Sequence, residues 1–84
     1  MKQNKFNYLA VIQQNYGQGW EDNSEYETTS NGKPIEQTTV KATNKEGHPI
    51  EKQISLLSHD LIEYRRTGYA TRVIYRKERV NNTL

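Results

Sequence analysis

Cysteine is absent from the 84 residues, and methionine, phenylalanine and tryptophan occur once each. Without a thiol there is no disulfide framework, no thiolate zinc site and no cysteine nucleophile, a usage that fits a reducing cytoplasm. Long hydrophobic runs are missing too. The apolar run Tyr8 to Ile12 is shorter than the roughly 7–15 residues of a signal-peptide core and far below the ~18 that cross a bilayer. The expectation is an unexported protein without a membrane segment, working in the cytoplasm. Asn81-Asn82-Thr83 matches a glycosylation sequon, which carries no weight without export.

Apolar residues are scarce, 32% of the chain with a mean hydropathy of -1.07, so disorder competes with folding. Six tyrosines, the single Trp20 and the single Phe6 act against it, because aromatic rings bury much area per residue. A chain of this length buries only about 60% of the surface its unfolded form exposes, which makes residues 1–84 one small domain with a thin core. Its ends, about 1–5 and 81–84, are expected to be loosely held.

Motifs for catalysis are lacking as well. Gly17-Gln18-Gly19 has Asp22 where a dinucleotide loop needs a third glycine, and no Gly-Lys-Ser/Thr occurs. His59 and Glu63 have the i, i+4 spacing of two ligands on one helix face, but two weak ligands do not hold a metal. Adjacent residues on a helix point about 100° apart, so Ser58-His59-Asp60 cannot form a triad among themselves. Glu25 and Glu27 lie on a polar stretch where nothing raises a carboxyl pKa for acid catalysis. No enzyme activity and no cofactor are expected.

What is present is organised around Tyr16-Gly17-Gln18-Gly19-Trp20-Glu21-Asp22. Two glycines flanking one residue permit a tight reversal, and Trp20 is expected to anchor it in the core. Before it, Phe6 to Gln14 reads as a central strand with apolar side chains on both faces. After it, Glu21 to Thr29, polar except for Tyr26, reads as an edge strand. Turns follow at Ser30 to Pro34 and Asn44 to Gly47, with a strand from Ile35 to Ala42 between them. The hexamers starting at Gly32 and Gly47 echo one another, each a glycine turn leading through proline into the next element.

Ile54, Leu57, Leu61 and Tyr64, flanked by Ile50 and Ile62, predict an amphipathic helix from about Glu51 to Thr67. Pro49 suits its start, Ser55 or Ser58 can cap a later one, and Gly68 suits its end. Tyr69 to Val80 predicts a last strand with Thr71, Val73 and Tyr75 on one face and Arg72, Ile74 and Arg76 on the other. The expected fold is α+β: an antiparallel sheet of three to four strands with one amphipathic helix packed on one face. Its expected core is Leu9, Val11, Ile12, Trp20, Ile54, Leu57, Leu61, Tyr64 and Val73.

Charge is uneven. Residues 1–42 carry four Lys and five acids, and residues 43–84 carry eight Lys or Arg and five acids, giving −1 and +3. The candidate binding residues are Arg65, Arg66, Arg72, Arg76, Lys77 and Arg79 with Tyr69 and Tyr75, cations for phosphates or carboxylates interleaved with rings.

The strand ending Ile12-Gln13-Gln14-Asn15-Tyr16-Gly17-Gln18-Gly19-Trp20-Glu21-Asp22, the acidic Ser24-Glu25-Tyr26, the helix end Asp60-Leu61-Ile62-Glu63-Tyr64-Arg65 and the terminal Arg72-Val73-Ile74-Tyr75-Arg76-Lys77 together resemble a group of short bacteriophage and prophage proteins. The resemblance spans roughly residues 8–29 and 57–79. It implies a viral origin and work inside a bacterial host, and it brings no activity or site residues with it. The expected function is a non-enzymatic phage accessory protein that binds a host or viral protein. The alternative is nucleic-acid binding through the basic last strand. Self-association through an edge strand is a further expectation.

Overall fold

The computed structural model describes residues 6–80. The ends expected to be loose, 1–5 and 81–84, lie outside the described residues. The chain runs β1 (Phe6–Asn15), β2 (Trp20–Thr28), β3 (Gln37–Thr43), β4 (Pro49–Ser55), α1 (Leu56–Arg65) and β5 (Ala70–Arg79). It is an α+β protein in which strand predominates and a single helix is present among the described residues. The strands do not form one sheet. An antiparallel sheet of order β2-β1-β5 makes the body, and among the described residues β3 and β4 pair only with each other.

β1 is central because its apolar residues need cover on both faces. Its even-numbered residues Ala10 and Ile12 meet Tyr26 of β2, Leu57 of α1 and, at the margin, Leu56, Leu61, Tyr64 and Val73. Ala10 and Ile12 are fully buried, and Tyr26 and Leu57 nearly so. Polar contacts fix the helix over this patch. The Tyr26 hydroxyl donates to Asp60 at 2.7 Å, the Tyr64 and Ser24 hydroxyls lie 2.6 Å apart, and Gln14 Nε2 donates to the Tyr64 carbonyl at 2.9 Å.

The helix starts later than its periodicity suggests. Ser55, extended at φ -66° and ψ 145°, caps it by accepting from the Ser58 amide at 3.1 Å. Pro49 to Ser55 is strand β4, which corrects the helix start near Glu51. Ile50 and Ile54 sit four residues apart, a spacing that places side chains on one face of a strand as well as of a helix. They pair across the hairpin with Ala42 and Thr38. Ile54 is therefore half-buried in the hairpin and lies outside the buried cluster of the body.

This β3–β4 hairpin stands apart from the body. Its turn is tied by Asn44, whose side-chain oxygen accepts from the Glu46 and His48 amides, both at 2.9 Å. The radius of gyration is 16.6 Å, against about 12 Å for a compact chain of this length. Extents of 56 × 38 × 20 Å describe the same elongation.

Trp20 is the second correction. It is 37% exposed and does not lie beneath the helix. The β1–β2 register shifts between Ile12, opposite Ser24, and Gln13, opposite Asp22, leaving Asn23 as an extra residue. Such a bulge reverses the alternation of side chains. Ser24, Tyr26 and Thr28 face the helix, whereas Asp22 and Trp20 turn to the opposite, uncovered face.

Tyr26 carries a pH dependence. Burial first, then its hydrogen bond to Asp60, pushes the phenol from an ordinary 10.0 up to about 12. Between these values the unfolded chain loses the proton and the folded one keeps it, so stability is intact below pH 10 and falls as pH rises. From pH 9.5 to 11.5 the wild type is expected to lose on the order of 1–2 kcal/mol more than Tyr26→Phe, read by urea unfolding. Equal losses would contradict the assignment.

Candidate binding face and aromatic end

The uncovered face of the body is built by β1 residues Leu9, Val11 and Gln13, flanked in register by Arg76, Ile74 and Arg72 of β5 and by Glu27, Glu25 and Asp22 of β2. A chain of polar contacts crosses it. Arg72 Nε donates to Gln13 Oε1 at 2.8 Å, Gln13 Nε2 donates to Asp22 Oδ1 at 2.7 Å, and Arg76 Nη1 donates to Asp22 Oδ2 at 2.9 Å. Arg76 stands beside Leu9 and Asp22 beside Gln13, so their ion pair passes diagonally over Val11. This explains why Val11 is fully buried although no other element packs on that side among the described residues.

Arg76 and Gln13 hold the Asp22 carboxyl below the usual carboxylate range. Its contribution is therefore present at neutral pH and lost as pH falls through that lowered value. The pair is partly exposed, and salt screens it.

At one end of the sheet, aromatic residues lie on both sides, Trp20 with Arg72 on this face and Tyr16 with Tyr69 on the helix-facing side beside Gln14. The Arg72 guanidinium sits 4.1 Å from the centre of the Trp20 ring, and the Tyr16 and Tyr69 rings meet edge to face at 4.7 Å. The bend between β1 and β2 positions Tyr16 and Trp20. Gly17 and Gly19 have φ of 105° and 110°, and Asn15 Oδ1 accepts from the Gly17 amide at 2.8 Å. Beneath the bend, Gln14 joins the elements. Its Oε1 accepts from the Tyr16 hydroxyl at 2.8 Å and Asn23 Nδ2 at 2.7 Å, and its Nε2 reaches the Tyr64 carbonyl and the Thr67 and Thr71 hydroxyls at 2.9–3.1 Å.

The basic and aromatic residues singled out from the sequence are not brought to one surface. Arg72 and Arg76 share the uncovered face. Lys77 and Arg79 belong to the other side of β5, towards the Phe6 end, where the Lys77 ammonium lies 4.0 Å from the Phe6 ring centre. Arg66 pairs with Glu63 at 3.0 Å, and Arg65 is exposed in the last turn of α1. Tyr69 packs against Tyr16, on the side of the sheet opposite Trp20 and Arg72. Tyr75, 63% exposed, lies on the helix-facing side of β5 next to Gly32, where an added Cβ would stand 3.4 Å from the ring.

The Arg76–Asp22 pair is the contact expected if the basic face pairs with the acids of Glu21 to Glu27, whereas no motif in the sequence marks Trp20, Tyr16 and Gln13 as surface-forming residues. The available signal was Gln13-Gln14 at the end of an apolar central strand, since buried amides must find partners. The two turn out to organise opposite faces.

His59 Nδ1 lies 2.9 Å from Asp60 Oδ1, and this contact first, then the Tyr26 hydroxyl, keeps Asp60 in its charged form. Glu63 turns to Arg66. Among the described residues no three His, Asp or Glu side chains are grouped to hold a metal, and no helix is long and apolar enough to cross a membrane. A shallow depression of about 230 Å³, lined by residues including Tyr8, Thr28, Gly32 and Tyr75, lies at the other end of the sheet. Compared with known proteins, the chain matches no family model, no curated protein and no solved structure.

Proposed function

We propose that this chain is a non-enzymatic accessory protein of bacteriophage origin that acts in the bacterial cytoplasm by binding a host or viral protein. The observation that carries the reading is one end of the sheet at which two contacting pairs are exposed, Trp20 with Arg72 on one side and Tyr16 with Tyr69 on the other. Trp, Tyr and Arg are the residue types most enriched in interface hot spots. Here the strand register and the Gln13 contact hold the Arg72 side chain before any partner arrives, so less conformational entropy is lost on binding.

Nucleic-acid binding through β5 has weaker support. Asp22 engages Arg76, Glu63 engages Arg66, and Lys77 and Arg79 belong to the opposite side of the strand from Arg72. A polyphosphate strand follows a continuous track of cations, and these are divided.

Affinity capture of the tagged chain from infected cells tests the proposal, with Trp20→Ala and Tyr69→Ala run in parallel after circular dichroism has shown them folded. The expected result is a protein retained by the wild type and lost, or reduced about tenfold or more, with either variant. Recovery of nucleic acid alone, or capture unaffected by both variants, would overturn it.

A further inference from the structure

The geometry points to the outer edge of β5 as a strand-addition site for an extended acidic peptide segment. This rests on the protein-binding reading above and specifies the partner's chemistry. β5 is the last strand in the order β2-β1-β5, so Ala70–Arg79 has no strand on its outer side among the described residues. It contains no proline and pairs with β1 without a register shift. The free edge is thus a continuous template about 30 Å long. The β2 edge is a poorer one, being bulged at Asn23 and occupied at Thr28 by Pro34.

Charged side chains on an edge strand ordinarily guard it against pairing. Here three of them bind inward, across β1. Arg72 goes to Gln13 and the Trp20 ring, Arg76 to Asp22, and Lys77 to the Phe6 ring. Three of the four β5 cations therefore lie over the sheet rather than along the edge backbone. Their charge still selects the partner, since β5 carries Arg72, Arg76, Lys77 and Arg79 against the single acid Glu78.

Arg72 is the specific reader. Its Nε is committed to Gln13 and its plane to Trp20, while neither Nη has a protein partner among the described residues. A guanidinium held in this way presents its remaining N–H groups to one carboxylate. A second copy of β5 brings like charge and is disfavoured.

The test is an ¹⁵N NMR titration of the full chain with a capped heptapeptide alternating valine and glutamate. Two analogues are run beside it: one with lysine for glutamate, and one N-methylated at alternate peptide bonds. The expected result is amide shifts and slowed exchange concentrated in Ala70–Arg79, with both analogues about tenfold weaker. Binding of the N-methylated peptide at full strength would overturn strand addition. So would shifts centred on β2 or β3–β4, or no response at millimolar peptide.

Equal β5 shifts with an oligothymidine would replace the acidic peptide by nucleic acid, and β5 shifts that grow with protein concentration alone would replace it by a second copy. If the peptide fails while capture still depends on Trp20, only strand addition falls. If that capture fails as well, the protein-binding reading falls with it.

Discussion

Ile12→Ala is expected to bring the chain to the edge of unfolding at 25 °C, with up to about half of the molecules unfolded. Ile12 is fully buried and belongs to the cluster of Ala10, Tyr26 and Leu57 that joins sheet to helix. Removing three carbons there costs about 3–4 kcal/mol in lost transfer energy and residual cavity. A domain of this length has roughly 4–12 kcal/mol of stability, and so small a buried cluster places this one near the low end. Ile62→Ala is the control. Ile62 is 50% exposed on α1, and its loss should cost no more than about 0.5 kcal/mol. Urea unfolding followed by circular dichroism separates the two, and similar midpoints would show that the helix does not depend on the Ile12 patch.

Gln14→Leu is expected to destabilise by about 2–4 kcal/mol despite adding apolar surface at a buried site. Gln14 is 2% exposed and contacts five groups on three other parts of the molecule: the bend and bulge, the end of α1, and β5. Thr67 and Thr71 retain hydroxyl bonds to backbone carbonyls, but the Tyr16 hydroxyl loses its acceptor. The damage should be local at first. Amide exchange is expected to speed up at residues 16–23 and 64–71 before it does so in the middle of β1. Uniform acceleration along the sheet would show that Gln14 is not a link between elements.

Much of the fold could be read from local chemistry. The apolar run at Phe6 to Gln14 required a central strand, the glycine turns at Gly32 and Gly47 fell where expected, and Thr71, Val73 and Tyr75 alternate with Arg72, Ile74 and Arg76 as a strand demands. Two features were hidden for definite reasons. A four-residue spacing satisfies both helix and strand periodicity, so Ile50 and Ile54 extended the helix stripe into what is β4. Only the Ser55 cap separates the two states.

Trp20 was misplaced because one extra residue, Asn23, inverts the faces of everything before it in β2, and no composition or pattern marks a bulge. The candidate surface was legible only as residue types. Alternation puts Arg72 and Arg76 on one face and the acidic run Glu21 to Glu27 offers them carboxylates, but their amide and indole partners, Gln13 and Trp20, come from more than fifty residues away.

The inverted face is also what makes Trp20 available to a partner, so the environment of the single tryptophan bears on fold and function together. Acrylamide quenching of Trp20 fluorescence, in the wild type and in Arg72→Ala, measures that environment directly. An indole on the uncovered face with a guanidinium above it should be readily quenched, with emission near that of indole in water, and removing Arg72 should increase the quenching further. Blue-shifted emission that resists acrylamide and ignores Arg72→Ala would place the indole in the core beneath α1 and contradict the proposed surface.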